Sequence, residues 1–132
     1  MRHIFELVRK EIGDLMSANY SEDGTEVEII LPLTAINSTF VSVFVKKVDN
    51  MYIVHDGCWL TNGEYAVDVK TKNSAAQLAI TTVCQYYEGY IDRNDGQLLL
   101  LKPVTSVELV PDRVFDMGML ILQIVNSCLI HQ

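Results

Sequence analysis

Between Arg2 and Ala18 the apolar residues Ile4, Val8, Ile12 and Leu15 recur at helical spacing, with Phe5, Leu7 and Met16 beside them and Arg9, Lys10, Glu11 and Asp14 opposite. That period predicts an amphipathic first helix. Asn19 to Gly24 is a polar break, after which the period changes to two: Val27, Ile29 and Leu31 alternate with Glu26 and Glu28, as in a strand with one wet face that carries the acids. Pro32 is expected to end this strand. Thr39 to Lys47 is rich in β-branched and aromatic residues on both parities, the mark of a central strand. Asp49-Asn50 supplies a tight turn into Met51 to His55, which completes a three-strand meander and stops at Asp56-Gly57.

From Gly57 to Lys72 two readings stay open. Asn62-Gly63 between Trp59-Leu60-Thr61 and Glu64-Tyr65-Ala66-Val67 fits a hairpin, while a helical turn beginning at Asp56 uses the same residues. A second helix starts from Ser74 in an N-cap context, gathers Ala76, Ala79, Ile80, Val83, Cys84 and Tyr87 on one face, and ends at Gly89. Tyr90 to Asp92 and Gln97 to Leu101 flank Arg93-Asn94-Asp95-Gly96 as a bulged hairpin. Pro111-Asp112 opens a last helix running to about Leu129, interrupted on its polar side only by Asp116, Gln123, Asn126 and Ser127. Such a helix is either wrapped by its own domain or forms a homodimer seam from Pro111 to Leu129, the buried reading being preferred. The fold class is α+β: an N-terminal helix, an antiparallel sheet of roughly three to five strands built on the meander, a second helix, a β-hairpin, and an apolar C-terminal helix on one sheet face.

Composition makes this one domain. The chain has 132 residues, 49% hydrophobic and 20% charged, with no internal repeat or linker, so residues 1–132 are expected to share one core. Acids outnumber bases 17 to 10, a net charge of −7, and an acidic chain lacks the cationic face that duplex DNA or an anionic membrane requires. No direct nucleic-acid or membrane partner is expected. The charge is uneven: residues 1–28 hold seven acids and three bases, 29–72 four of each, and 73–132 six and three. Met1 to Glu6 shows no signal-peptide pattern, the charge-free runs 29–45, 73–87 and 117–132 are shorter than the ~20 residues of a spanning helix, and Cys58, Cys84 and Cys128 are odd in number. The expectation is a cytoplasmic protein with reduced thiols.

Few chemistries survive. Asp92-Arg93-Asn94-Asp95-Gly96 opens like a calcium loop, but its Gly falls one position early and Pro103 stands where a bidentate Glu is needed. A zinc site would have to start from His55 and Cys58, with Cys84, Cys128, His3 and His131 scattered elsewhere. The same His55 and Cys58 form a nominal nucleophile pair with nothing evident to lower the thiol pKa. No metal site and no cofactor are expected. Asp56 at a strand end, followed by Asp68-Val69-Lys70, could hold Mg²⁺ and place a lysine by it. This resembles the pattern of the restriction-endonuclease-like nucleases, whose α-β-β-β-α-β core is close to the order read here. The resemblance implies Asp56, Asp68 and Lys70 as catalytic residues, with Glu11 as a further acid. A turn Asp and a solvated Asp-Lys pair explain the same residues and are preferred.

A second resemblance covers about Glu26 to Leu129. Val27 to Leu33, Phe40 to Lys47 and Tyr52-Ile53-Val54-His55-Asp56-Gly57 are similar to an uncharacterised prokaryotic and phage domain family, which has an Ile-x-Ile-Tyr-Val-Lys strand and a Tyr-x-x-Thr-Asp-Asp-Gly turn. The family's first Asp is His55 here, and its Thr-Pro is Leu31-Pro32. The resemblance implies a helical turn at Cys58 to Asn62 and a phage or mobile-element context without an assigned activity. The favoured function is therefore a non-catalytic protein-binding domain, acting as an inhibitor or accessory factor of another protein. Glu22, Asp23, Glu26 and Glu28 are its acidic cluster, and Trp59, Tyr65, Tyr86 and Tyr90 are its candidate exposed aromatics.

Overall fold

The computed structural model describes residues 1–12 and 16–132, and only the backbone of Glu11 and Ile12. The meander forms as its alternation requires. Strands β2 (Glu26–Thr34), β3 (Phe40–Val48) and β4 (Met51–His55) are antiparallel neighbours, with a two-residue turn at Asp49-Asn50. Val27, Ile29 and Leu31, with Val41, Val43, Val45 and Val54, are buried on one face. Pro32 does not end β2. The strand continues to Thr34 across a register shift between Ile30 and Thr34, and the residue that cannot donate to the ladder sits in that irregular stretch.

The sheet is larger than the sequence predicts. It has six strands in the order β1-β2-β3-β4-β6-β5, where β1 is Ser17–Tyr20, β5 Gly89–Ile91 and β6 Leu98–Leu100. Ser17, Ala18, Asn19 and Tyr20, read as the end of a helix and the start of a polar break, instead form an edge strand on β2. Helix α1 is Arg2–Ile12, with Ile4 and Val8 wholly buried, and Arg2 places its guanidinium 4.9 Å over the Tyr20 ring. Asp14, Leu15 and the side chains of Glu11 and Ile12 lie outside the described residues.

Between Gly57 and Lys72 the helical turn is found. Helix α2 is Trp59–Asn62, and Gly63 closes it in the left-handed conformation by donating its N–H to the Trp59 carbonyl. Glu64 to Val67 form no strand; Tyr65, Val67 and Val69 turn into the core along an irregular path. Helix α3 is Ser74–Tyr87, capped by the Asn73 side chain on the Ala76 N–H, and it ends in a left-handed Glu88 one residue before the expected Gly89.

Helix α4 (Val110–Ile130) follows a short 3₁₀ turn, Val107–Leu109, and settles the preferred reading of the apolar tail. Val110, Val114, Met117, Leu120, Ile121, Ile124, Val125 and Cys128 are buried in its own fold, against the sheet and between α1 and α3. By length and composition Val107–Ile130 would suffice to cross a membrane, yet its apolar side forms much of this core. Gly118 permits the approach: a Cβ there would meet Leu31.

Candidate functional site

With α1, α3 and α4 packed together on one side, α2 and its flanks cover part of the other sheet face. The register defines one row across that face, a residue per strand: Asn19, Glu28, Phe44, His55, Leu99 and Tyr90. At the usual strand spacing the row is about 24 Å long. It grades from polar at the β1 end to apolar at the β5 end.

The titratable groups near its centre are tied into structure. Asp56 is fully buried, and its carboxylate accepts the N–H groups of Leu98 at 2.9 Å, Cys58 at 3.0 Å and Leu60 at 3.1 Å. It thus joins β4, α2 and β6. Burial pushes its pKa up, while those three amides and neighbouring His55 pull it down. His55 accepts the Gly57 N–H on Nδ1 at 2.9 Å, which leaves Nε2 as the protonated nitrogen, donating to Glu26 at 3.0 Å. Phe44 stacks on the imidazole at 5.4 Å, and Trp59 meets Phe44 edge-on at 5.7 Å.

Tyr65 completes the knot. The register that pairs Phe44 with His55 would set Ser42 against Gly57, but β4 has already ended. The Tyr65 hydroxyl takes the place of that missing strand residue, accepting the Ser42 N–H at 3.1 Å and donating to the Ser42 carbonyl at 3.3 Å. Burial raises the Tyr65 pKa. Among the described residues no buried side-chain nitrogen or oxygen lacks a partner.

The residues singled out in the sequence are distributed as follows. Asp68 is exposed and uses Oδ1 to accept the Lys70 N–H at 2.9 Å, so the Asp-x-Lys spacing is that of a local turn. Lys70 lines a cleft beside the β5–β6 loop with Asp92 and Arg93, whereas Asp56 is buried outside that cleft with its carboxylate on three backbone N–H groups. Among the described residues no three His, Cys, Asp or Glu side chains stand together as a metal-holding group. The Cys58 thiol faces the Asp95 carbonyl at 3.4 Å; partial burial and the charges of Asp56 and Asp95 push its pKa up, away from nucleophile chemistry.

The acidic cluster is only partly free. Asp23 accepts from Ser21 and Thr25 within its own turn, which pulls its pKa down to about 2. Glu26 holds His55, Glu28 accepts from Ser42 and Asn19, and Glu22 is exposed. Of the aromatics, Tyr65 is buried, contrary to its reading as exposed, because its ring packs with Trp59 and its hydroxyl serves Ser42. Trp59 is half-buried, whereas Tyr86 and Tyr90 are exposed.

The apolar end of the row opens into a groove that the sequence reading passed over. After pairing with His55, the chain leaves β4 at Leu100 to Pro103 and returns at Val104, which bonds to Tyr52 at 2.7 Å. The excursion leaves a cavity of about 240 Å³ lined by Ile53, Tyr90, Leu99, Leu101, Lys102 and Pro103, among others. In the sequence Leu98 to Leu101 puts leucine on both parities, which makes both faces of that strand apolar. The chain matches no protein-family model, no curated protein and no solved structure.

Proposed function

We propose that this is a non-catalytic protein-binding domain whose contact surface is the uncovered sheet face. The observation that carries the reading is the apolar groove around Ile53, Leu99 and Tyr90, left open to solvent beside an otherwise closed core. Support also comes from the fate of the reactive groups. Asp56 and Tyr65 spend their donors and acceptors on backbone, and His55 on backbone and Glu26, so they act as struts under the surface. The domain acts by occupying a partner, with tyrosine at the rim and carboxylates at the far end of the row.

The test compares the tagged wild-type chain with Ile53→Glu, which puts a charge on the groove floor, and with Leu78→Glu, a substitution on the solvent side of α3. The expected result is a stoichiometric protein retained by wild type and by Leu78→Glu and lost from a folded Ile53→Glu. Equal retention by all three would remove the groove from the function.

A further inference from the structure

Large apolar side chains are exposed together at one corner of the molecule. Tyr86 is 80% exposed, Leu101 61%, Phe115 47% and Tyr90 40%. Tyr86 and Phe115 line a cleft of about 520 Å³ between the end of α3 and the start of α4, with Glu88, Lys102, Arg113 and Asp116. Tyr90 and Leu101 line the groove described above, and Lys102 borders both, so the two hollows are one surface.

We propose that this surface, centred on the free edge of β5, binds a second copy of the chain. The inference rests on the reading of the groove as a protein-binding site. Three observations support this occupant. The first is area. At about 200 Å² for each whole side chain, the four expose roughly 450 Å² of mostly apolar surface, close to the apolar share of the ~800 Å² that each partner buries in a stable pair.

The second is the strand edge. Glu88 and Asp92 bond their backbones to Leu101 and Gln97, so by the antiparallel alternation Gly89 and Ile91 turn theirs outward, and β5 is the last strand of the sheet. An unpaired edge beside exposed tyrosines is a template for another strand. The third is charge. The chain carries −7, yet this surface holds two acids and two bases, with Lys102 and Glu88 paired at 3.7 Å. Two copies that repel elsewhere meet here without a net like charge across the cleft.

Sedimentation equilibrium over a range of concentrations, together with amide exchange, tests the proposal. Wild type is expected at twice its 14.9 kDa mass, with the Gly89 and Ile91 amides more protected as concentration rises. Leu101→Glu and Tyr86→Glu should each raise the dissociation constant at least about tenfold, while Ile36→Glu, an equally exposed apolar site elsewhere, should not. A monomer at every concentration would overturn the proposal, as would dissociation by Ile36→Glu to the same extent. If wild type is monomeric but a different protein is held by the groove and released by Leu101→Glu, the second copy is wrong and the protein-binding reading stands. If the groove holds neither, both fall.

Discussion

Replacing Tyr65 with Phe removes a single oxygen, and the structure assigns that oxygen an unusual load. Ser42 is 2% exposed on a central strand, and both of its backbone groups on the β4 side end on the Tyr65 hydroxyl. Without it, a buried N–H and a buried carbonyl lose their partner together. Each orphaned group costs about 1–3 kcal/mol, so the pair, relaxing jointly, should cost about 2–4 kcal/mol. For a chain of this length that is a fall of roughly 8–16 °C in Tm. Urea unfolding at matched m-value measures the loss, and exchange of the Ser42 amide localises it: protected in wild type, fast in Tyr65→Phe. A variant within about 0.5 kcal/mol of wild type, with Ser42 still protected, would refute the idea that the phenol substitutes for a strand residue.

Other consequences can be checked as directly. Asp56→Asn turns an amide NH₂ toward at least one backbone N–H that the carboxylate accepted, and should cost about 2–3 kcal/mol in urea unfolding; a neutral result would mean the three bonds do not anchor α2 and β6. Gly118→Val drives a branched side chain into Leu31 and should destabilise by about 1–3 kcal/mol by calorimetry, while a rise in stability would contradict the close packing of α4 on β2. Asp23 has a folded pKa of about 2 against 3.8 unperturbed, so its contribution to stability is fully present above about pH 4 and is lost as the pH falls toward 2. A carboxyl NMR titration should place its midpoint near 2; a midpoint at 3.8 would contradict the turn's hydrogen bonds.

Much of this fold is legible wherever a local period is strong. The Val27-Ile29-Leu31 alternation, the doubly apolar β3 and the apolar run of α4 each report their burial correctly, because in each the pattern and the tertiary environment agree. Ser17 to Tyr20 are different: Ser-Ala-Asn-Tyr has little strand preference, and β2 supplies the ladder that makes it a strand. Asn62-Gly63 fits a hairpin turn and a helix cap alike, since both need a left-handed glycine, and the Cys58 and Leu60 amide bonds to Asp56 belong to the helical alternative. Glu88 takes the left-handed cap expected of Gly89, and Gly89 instead begins β5, where Leu120 comes close.

The site was less legible because it is made of long-range placements. That Glu26 meets His55 across the sheet, that Tyr65 serves Ser42, and that β6 slots between β4 and β5 all depend on pairings that no local pattern encodes. The sequence identified acids on the wet face of β2 and exposed tyrosines at 86 and 90. It missed the groove because Leu99, Leu101 and Ile53 stand in ordinary strand patterns, and the departure of the chain at Leu100 to Pro103 leaves them uncovered.

The uncovered sheet face, at its apolar end, is proposed as the place where a protein docks. A photo-crosslinking side chain placed at position 53, with another at position 36 as a control on a remote exposed site, tests this in extract of the source cells. A discrete protein adduct is expected from position 53, whether with a second copy or with a different chain, and none of that mass from position 36. The same adducts from both positions, or none from position 53, would contradict it.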